Sequence, residues 1–377
     1  MQQISDKMAG LYVHIPFCKS RCIYCAFYST TSAGMEEKYV SALCRELDLR
    51  SDYCSPEWQT VYIGGGTPST LSPEQLQRLF SHIDCSHAKE VTIECNPDDI
   101  TPSFASLLAS LPVNRVSMGA QTFDDSRLGF LRRRHNAAEV VNAVSTLRDA
   151  GIDNISIDLI YGFPGESLKQ WDDDITAALS LGVEHLSAYC LSYEEGTPLY
   201  SMLKEGKGEE SDDELTRAMY DRRIDRLAAA GYEHYEISNF ALPGRRALHN
   251  SNYWNSTPYM GIGAAAHSYN ITSRQWNISD LRKYILEVEN GHLPFEREYL
   301  DITERYNDTV MLSLRTCNGI DLADLKSRFG TDLHSYLLRQ ARQYEESGLL
   351  VHEHDRLRLS RNGLYVSDMV ITDLLKV

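Results

Sequence analysis

The sequence predicts an α/β fold: a partial β/α barrel of six units, an irregular segment, and a small winged-helix-like α+β domain at the C-terminal end. Three observations predict it. Six short β-rich runs alternate with longer amphipathic stretches through the first two-thirds of the 377 residues. The pattern then changes character near residue 240 and again near residue 301. Glycine or polar residues close almost every β-rich run, and a barrel gathers such strand ends on one rim where ligands bind. Periodicity alone leaves a doubly wound open sheet as the alternative.

The runs are LYVHI (11–15), TVYIG (60–64), EVTIE (90–94), RVSMG (115–119), ISIDLIYG (155–162) and HLSAYCL (185–191). We read them as nearly continuous apolar strands, the pattern of parallel sheets covered on both faces. Amphipathic stretches at 34–51, 72–83, 101–110, 136–150 and 167–181 read as the intervening helices. Ser72-Pro73 and Thr101-Pro102 each supply a capping hydroxyl followed by proline at the first helical position, and Gly151 stands where a helix ends. One more helix covers 211–230. The expected domains are 1–235 for the barrel, 236–300 for the irregular extension and 301–377 for the winged-helix-like unit. In the last, YNDTVMLSLRT, LADLKSRF and SYLLRQARQYEESGLL read as helices, and LVHEHDRLRLSRNGLYV as a hairpin before a final helix.

Charge and composition exclude several classes. The formal net charge is −16, and residues 301–377 carry 12 acidic against 10 basic side chains, so a DNA reader's basic face is missing and nucleic acid is excluded as a partner. With 42% hydrophobic and 24% charged residues the chain is neither disordered nor fibrous. No secretory signal and no apolar run of membrane-spanning length is visible, so a soluble, cytoplasmic protein is expected. Membrane contact is not indicated, and a homodimer stays open.

Nine cysteines resist a bland reading. Cys44, Cys54, Cys85, Cys95, Cys190 and Cys317 are scattered singly and read as reduced thiols. Cys18, Cys22 and Cys25 follow the first strand as C-x3-C-x2-C. Thiolates at that spacing on one loop can converge on a soft metal centre. Zinc wants four closed ligands and no fourth Cys or His follows nearby, whereas three thiolates suit a 4Fe–4S cluster with one open iron. A remote fourth zinc ligand and a chance cluster of thiols remain the alternatives.

On these residues the chain resembles the radical S-adenosylmethionine (SAM) superfamily. Tyr12-x-His14-Ile15-Pro16-Phe17-Cys18, Gly64-Gly65-Gly66-Thr67-Pro68, Gly119-Ala120-Gln121-Thr122-Phe123 and Ile157-Asp158-Leu159-Ile160-Tyr161-Gly162 resemble the branch holding oxygen-independent coproporphyrinogen III oxidase and the HemW haem chaperones. The resemblance implies a cluster on Cys18, Cys22 and Cys25 whose open iron is chelated by SAM. It implies that Tyr12, Gly65 and Glu94 line that SAM. Gly66, Thr67, Gln121, Arg133 and Asp158 correspond to positions lining a second SAM in the oxidase, with Ser192 a looser correspondence. Tyr24 flanks the cluster.

Two departures set the chain apart from the oxidase. The oxidase carries a further cysteine two residues after the third, where this chain has Phe27, and a substantial segment ahead of its first strand, which here begins by residue 11. His249-Asn250-Ser251-Asn252-Tyr253-Trp254 is similar to the H-N-x-x-Y-W motif of the haem chaperones, which implies haem contact through His249 and the aromatic pair. Gly261–His267 is also similar to the family. The expected function is a haem chaperone that holds a 4Fe–4S cluster, SAM and haem as cargo, and delivers haem to recipient haemoproteins. An electron donor is implied if the cluster turns over. The rivals are oxidative decarboxylation of coproporphyrinogen III, another radical SAM reaction, or a non-enzymatic Fe–S scaffold.

Overall fold

The computed structural model describes residues 9–50 and 57–377. Cys54, residue 51 of the first expected helix and the first eight residues read for a signal lie outside the described residues.

Six parallel strands form the barrel wall in sequence order: β1 (Ala9–Ile15), β2 (Trp58–Gly65), β3 (Glu90–Cys95), β4 (Arg115–Gln121), β5 (Ile155–Tyr161) and β6 (His185–Cys190). Between them run α1 (Glu36–Leu49), α2 (Pro73–Ser81), α3 (Pro102–Ser110), α4 (Asp125–Phe130), α5 (Ala137–Asp149) and α6 (Leu168–Ser180). The capping signals act as written: Ser72 accepts from the Gln75 amide and Thr101 from the Phe104 amide. The short α4, started by the Asp124 carboxylate on the Ser126 and Arg127 amides, was not expected.

The strands alternate, which corrects the expectation of continuous apolar runs. Leu11, Val13, Val61, Ile63, Val91, Ile93, Val116, Met118, Ile155, Ile157, Leu186 and Ala188 all point into one buried core shared with Leu43, Leu76, Leu108, Val140, Leu147 and Trp171 of the helices. The intervening positions carry polar groups. Tyr62 pairs with Thr92 and Thr92 with Arg115; Glu94 pairs with Ser117, Gly119 with Asp158, and Asp158 with Ser187. Side chains on a strand alternate between faces, so this second set shares the concave face. Both faces are covered, but the inner one surrounds a polar cavity instead of an oily core.

The sheet does not close. β7 (Glu233–His234) and β8 (Asn239–Ala241) add antiparallel strands beyond β6. On the other edge β9 (Tyr259–Ile262) lies parallel to β1, and β10 (His267–Tyr269), β11 (Ser273–Asn277) and β12 (Phe295–Tyr299) continue the sheet antiparallel. The stretch expected to be irregular thus contributes β8 to β12 to this sheet, with the helices Leu248–Trp254 and Leu281–Glu289 and loops between them. These strands are short; β8 and β9 bury Phe240, Met260 and Ile262, whereas the buried positions of β10 and β11 are polar: Ser268 bonds to Gly261, and Asn277 donates to Glu46 and to the Gly263 carbonyl. No apolar alternation marks them.

Residues 302–374 form a second core, built by Tyr306, Val310, Leu325, Leu337, Leu357 and Ile371. Helix Ile302–Ser313 is followed by a long helix, Leu322–Glu346, that breaks at Gly330 (φ 82°) into the two expected helices. β13 (Ile320–Asp321), β14 (Leu350–Glu353) and β15 (Arg356–Leu359) make the small antiparallel sheet, and helix Ser367–Leu374 ends the fold. Arg361 bonds Asp221 and Asp225 on helix Asp213–Ala229, fastening this unit to the barrel. Among the described residues no helix is long and apolar enough to cross a membrane.

Candidate functional site

Beyond β1 the chain is pinched where Phe17 pairs with Thr30. The Cys18 amide donates to the Thr30 carbonyl (2.9 Å) and the Thr30 amide to the Pro16 carbonyl (2.7 Å), so the cysteine segment is a closed loop with a hydrogen-bonded neck. Ile23 plugs it onto the barrel through a small apolar cluster with Leu131, Ile160, Phe163, Leu191 and Leu199. The side chains on either side of Ile23 then face the rim. Cys18, Cys22 and Cys25 line one cavity of about 180 Å³ with Tyr24, Gly65, Gly66, Thr67, Glu94, Gln121, Arg133 and Asp158. Eleven residues named from the sequence are thus gathered in one place.

Those residues fit a thiolate-held cluster. Thr67 donates to Cys18 Sγ (3.4 Å) and Arg133 Nη1 to Cys22 Sγ (3.5 Å), donors suited to sulfur that carries negative charge. Among the described residues no three His, Cys, Asp or Glu side chains lie close enough to hold a single ion. Three thiols spread around one cavity suit a polynuclear centre, in which each sulfur bonds a different iron. The glycines bring backbone to the cavity wall. Gly65 has φ +116°, donates its amide to Glu94 (3.0 Å), and any Cβ there would strike the His14 ring. A Cβ on Gly66 would lie 2.7 Å from the Pro16 carbonyl carbon.

The acids and bases around the cavity are held by burial. The Glu94 carboxylate accepts from Tyr62 Oη (2.6 Å) and the Gly65 amide, and desolvation still pushes its pKa up to about 7. Burial likewise raises Asp158, against a hydrogen bond from Ser187. Burial also raises the Cys18 and Cys25 thiols and the Tyr24 phenol. Arg133 Nη2 donates to Asn96 Oδ1 (2.7 Å) and to the Gly119 carbonyl (2.8 Å), which fixes the guanidinium under the loop. Gln121 sits at φ 67°, an unusual conformation for a residue with a side chain and one that accumulates at ligand sites. Tyr12 lies one layer further down β1, with its hydroxyl on His14 Nδ1 (2.9 Å), outside the lining of this cavity.

A second cavity, of about 490 Å³, shares Tyr24, Cys25, Phe27, Glu94, Gln121 and Asp158 with the first. It reaches down the barrel between Tyr62, Arg115, Ser117, Ser187 and Tyr189, and Ser192 and Asn250 also line it. Phe27 is 72% exposed where the two cavities meet.

The structure does not bring His249 to either cavity. It lies in the short helix Leu248–Trp254, is 1% exposed, and both ring nitrogens are engaged: Nδ1 with Thr60 Oγ1 and Nε2 with Tyr253 Oη, each at 2.9 Å. Its ring stacks 5.2 Å from that of Tyr62, and burial lowers its pKa to about 3. Glu90 accepts from the Leu248 and His249 amides and holds the helix start against β3. Coordination of an iron by His249 requires breaking one of the two ring bonds and opening this packing. Asn250 is the motif residue that faces the larger cavity.

Residues 12–178 match the model of the radical SAM superfamily, and residues 300–366 match that of the HemN C-terminal domain. The heme chaperone HemW of Bacillus subtilis is 33% identical over 373 residues, covering 96% of this chain and 98% of that protein. The chain belongs to the HemW family of radical SAM proteins. The heme chaperone HemW of Mycobacterium tuberculosis is 34% identical over 97% of this chain and 94% of its own length. Among solved structures, the Escherichia coli coproporphyrinogen III oxidase HemN, a radical SAM enzyme, superposes with a TM-score of 0.86 over 100% of this chain and 92% of that one. Its identity is 20%, so it supports the shared fold alone.

Within this HemW-family chain the sequence reading missed part of the wall. Asn96 orients Arg133, while Arg115, Ser117, Ser187 and Tyr189 line the deep cavity. A signal existed for Arg115: a charged residue opening an otherwise apolar-looking strand must be paired or face a cavity.

Proposed function

We propose that this chain is a haem chaperone. Cys18, Cys22 and Cys25 hold a 4Fe–4S cluster, the Gly65–Thr67 and Glu94 wall takes SAM beside it, and haem is carried for delivery to recipient haemoproteins. When bound, the cluster and SAM supply one-electron chemistry, and an electron donor is then a further partner. The chain's own residues orient and enclose. Thr67 and Arg133 compensate thiolate charge, the Gly65 and Gly66 backbone admits a ligand closely, and Ile23 anchors the loop.

The observation that carries this reading is Phe27. Where the oxidase pattern has a fourth cysteine, this chain presents a largely exposed aromatic ring at the junction of both cavities. An exposed phenyl offers flat apolar surface to a macrocycle and no thiol chemistry. The full-length similarity to proteins named heme chaperones supports the same reading.

The test pairs haem titration with an oxidase assay on the reconstituted protein. Haem is expected to bind near one per chain. Anaerobic incubation with SAM, a reductant and coproporphyrinogen III is expected to give no protoporphyrinogen IX. Robust formation of vinyl product overturns the chaperone reading in favour of the oxidase. Replacing Cys18, Cys22 or Cys25 by Ser is expected to abolish the cluster's visible absorbance, and an intact cluster in all three variants refutes the ligand assignment.

A further inference from the structure

The deep cavity holds an unmatched charge. Arg115 opens β4 and is 1% exposed, yet its Nε and Nη1 have no hydrogen-bond partner and it forms no ion pair among the described residues. The other buried guanidinium groups nearby are engaged: Arg133 with Asn96 and the Gly119 carbonyl, Arg223 with the Ala188 and Ile237 carbonyls. A buried cation without a contact partner is unfavourable, and native proteins resolve it by pairing.

The groups facing Arg115 do not pair with it. Glu94 and Asp158 feel its charge, but Glu94 is bonded to Tyr62 and Gly65, and Ser187 bonds Asp158. On its other sides stand His185, His249 and Tyr235, groups whose protonation its positive charge also biases. Arg115 therefore lines the 490 Å³ cavity as a planar fork of donors with capacity to spare. Such a fork matches a carboxylate in geometry and charge. Beside its polar groups the same cavity presents aromatic and aliphatic surface from Tyr62, Tyr24, Ile160, Tyr189 and Phe27.

We infer that Arg115 is the anchor for a carboxylate of the cavity's occupant, a planar apolar molecule that enters past Phe27 with one acid group directed to the barrel floor. The inference rests on the reading that the occupant is haem, whose propionates supply the acid. It adds the site and orientation that the reading lacks.

The test compares haem with its dimethyl ester, titrated into the full-length wild type, Arg115→Met and Arg115→Lys. Wild type is expected to prefer haem over the diester by about tenfold or more, the scale of a hydrogen bond to a charged group. Arg115→Met is expected to bind both alike, and Arg115→Lys, which keeps the charge without the fork, to fall between. A preference unchanged in Arg115→Met overturns the anchor. Benzoate, a planar carboxylate, is the control that is independent of haem. It is expected to raise the thermal midpoint of wild type and not of Arg115→Met. If wild type binds neither haem nor the diester but benzoate still discriminates, the haem reading fails and the anchor stands. If benzoate shifts neither protein, or both equally, the anchor fails as well.

Discussion

The Glu94 carboxyl gives a pH-dependent signature that follows from its burial. Its pKa moves from 4.5 to about 7, with desolvation the largest cause, ahead of the opposing bonds from Tyr62 and Gly65. The folded state therefore holds this proton more tightly than the unfolded chain does. Stability from this group is fully present below about pH 4.5, declines as the pH rises, and levels off above about pH 7. The interval corresponds to about 3 kcal/mol at 1.36 kcal/mol per decade of proton affinity. Glu94→Gln keeps the shape and its amide oxygen still accepts from Tyr62, but its NH2 is a donor and leaves the Gly65 N–H without an acceptor, a loss of about 1 kcal/mol. In cluster-free, SAM-free protein the variant is thus expected to be slightly less stable than wild type near pH 5 and about 2 kcal/mol more stable near pH 8. The thermal midpoints then cross by a few degrees in each direction. Unfolding followed by tryptophan fluorescence across that range reads the crossing. A difference between the two proteins that stays flat from about pH 5 to about pH 8 refutes the argument that burial holds this proton on.

Two further outcomes follow from the packing. His249→Ala is expected to lower the thermal midpoint before haem is added, by about 2 to 4 kcal/mol in stability, since it opens a cavity against Tyr62 and strands Thr60 and Tyr253. An unshifted midpoint with lost haem binding instead assigns the imidazole to haem. Gly66→Ala is expected to impair cluster reconstitution, because the new methyl meets the Pro16 carbonyl beneath the cysteine loop, and cluster absorbance per chain after anaerobic iron and sulfide loading measures it.

The cysteine loop and its rim were legible because their chemistry fixes residue types at fixed spacing. Cys18, Cys22, Cys25, Gly65, Gly66, Thr67, Glu94, Gln121, Arg133 and Asp158 were named from the sequence, and all ten line one cavity. Helix starts at Ser72 and Thr101 were legible for the same local reason. Strand β11 was not, because Ser273, Gln275 and Asn277 are buried as hydrogen-bonding groups and carry no hydrophobic period. His249 illustrates a different gap. A motif tells which residues recur together, whereas the side on which the imidazole lies depends on Thr60 and Tyr253, 189 residues and 4 residues away.

The alternation of the barrel strands links these points. EVTIE and RVSMG place Val91, Ile93, Val116 and Met118 in the core between sheet and helices, and Glu94, Arg115 and Ser117 on the opposite face. Counting tyrosine as apolar hides the same pattern in LYVHI and TVYIG. Had the inner face been a packed core, valine or isoleucine at these positions would give greater stability than desolvated Glu94, Asp158 and Arg115. The barrel instead keeps ionisable groups out of bulk water with incomplete pairing. A ligand that supplies the missing partner stabilises the fold in proportion to its occupancy. Occupancy and stability are therefore linked in this cavity: the desolvated, incompletely paired groups that cost the barrel stability are the ones that a charged ligand between Phe27 and Arg115 would pair with.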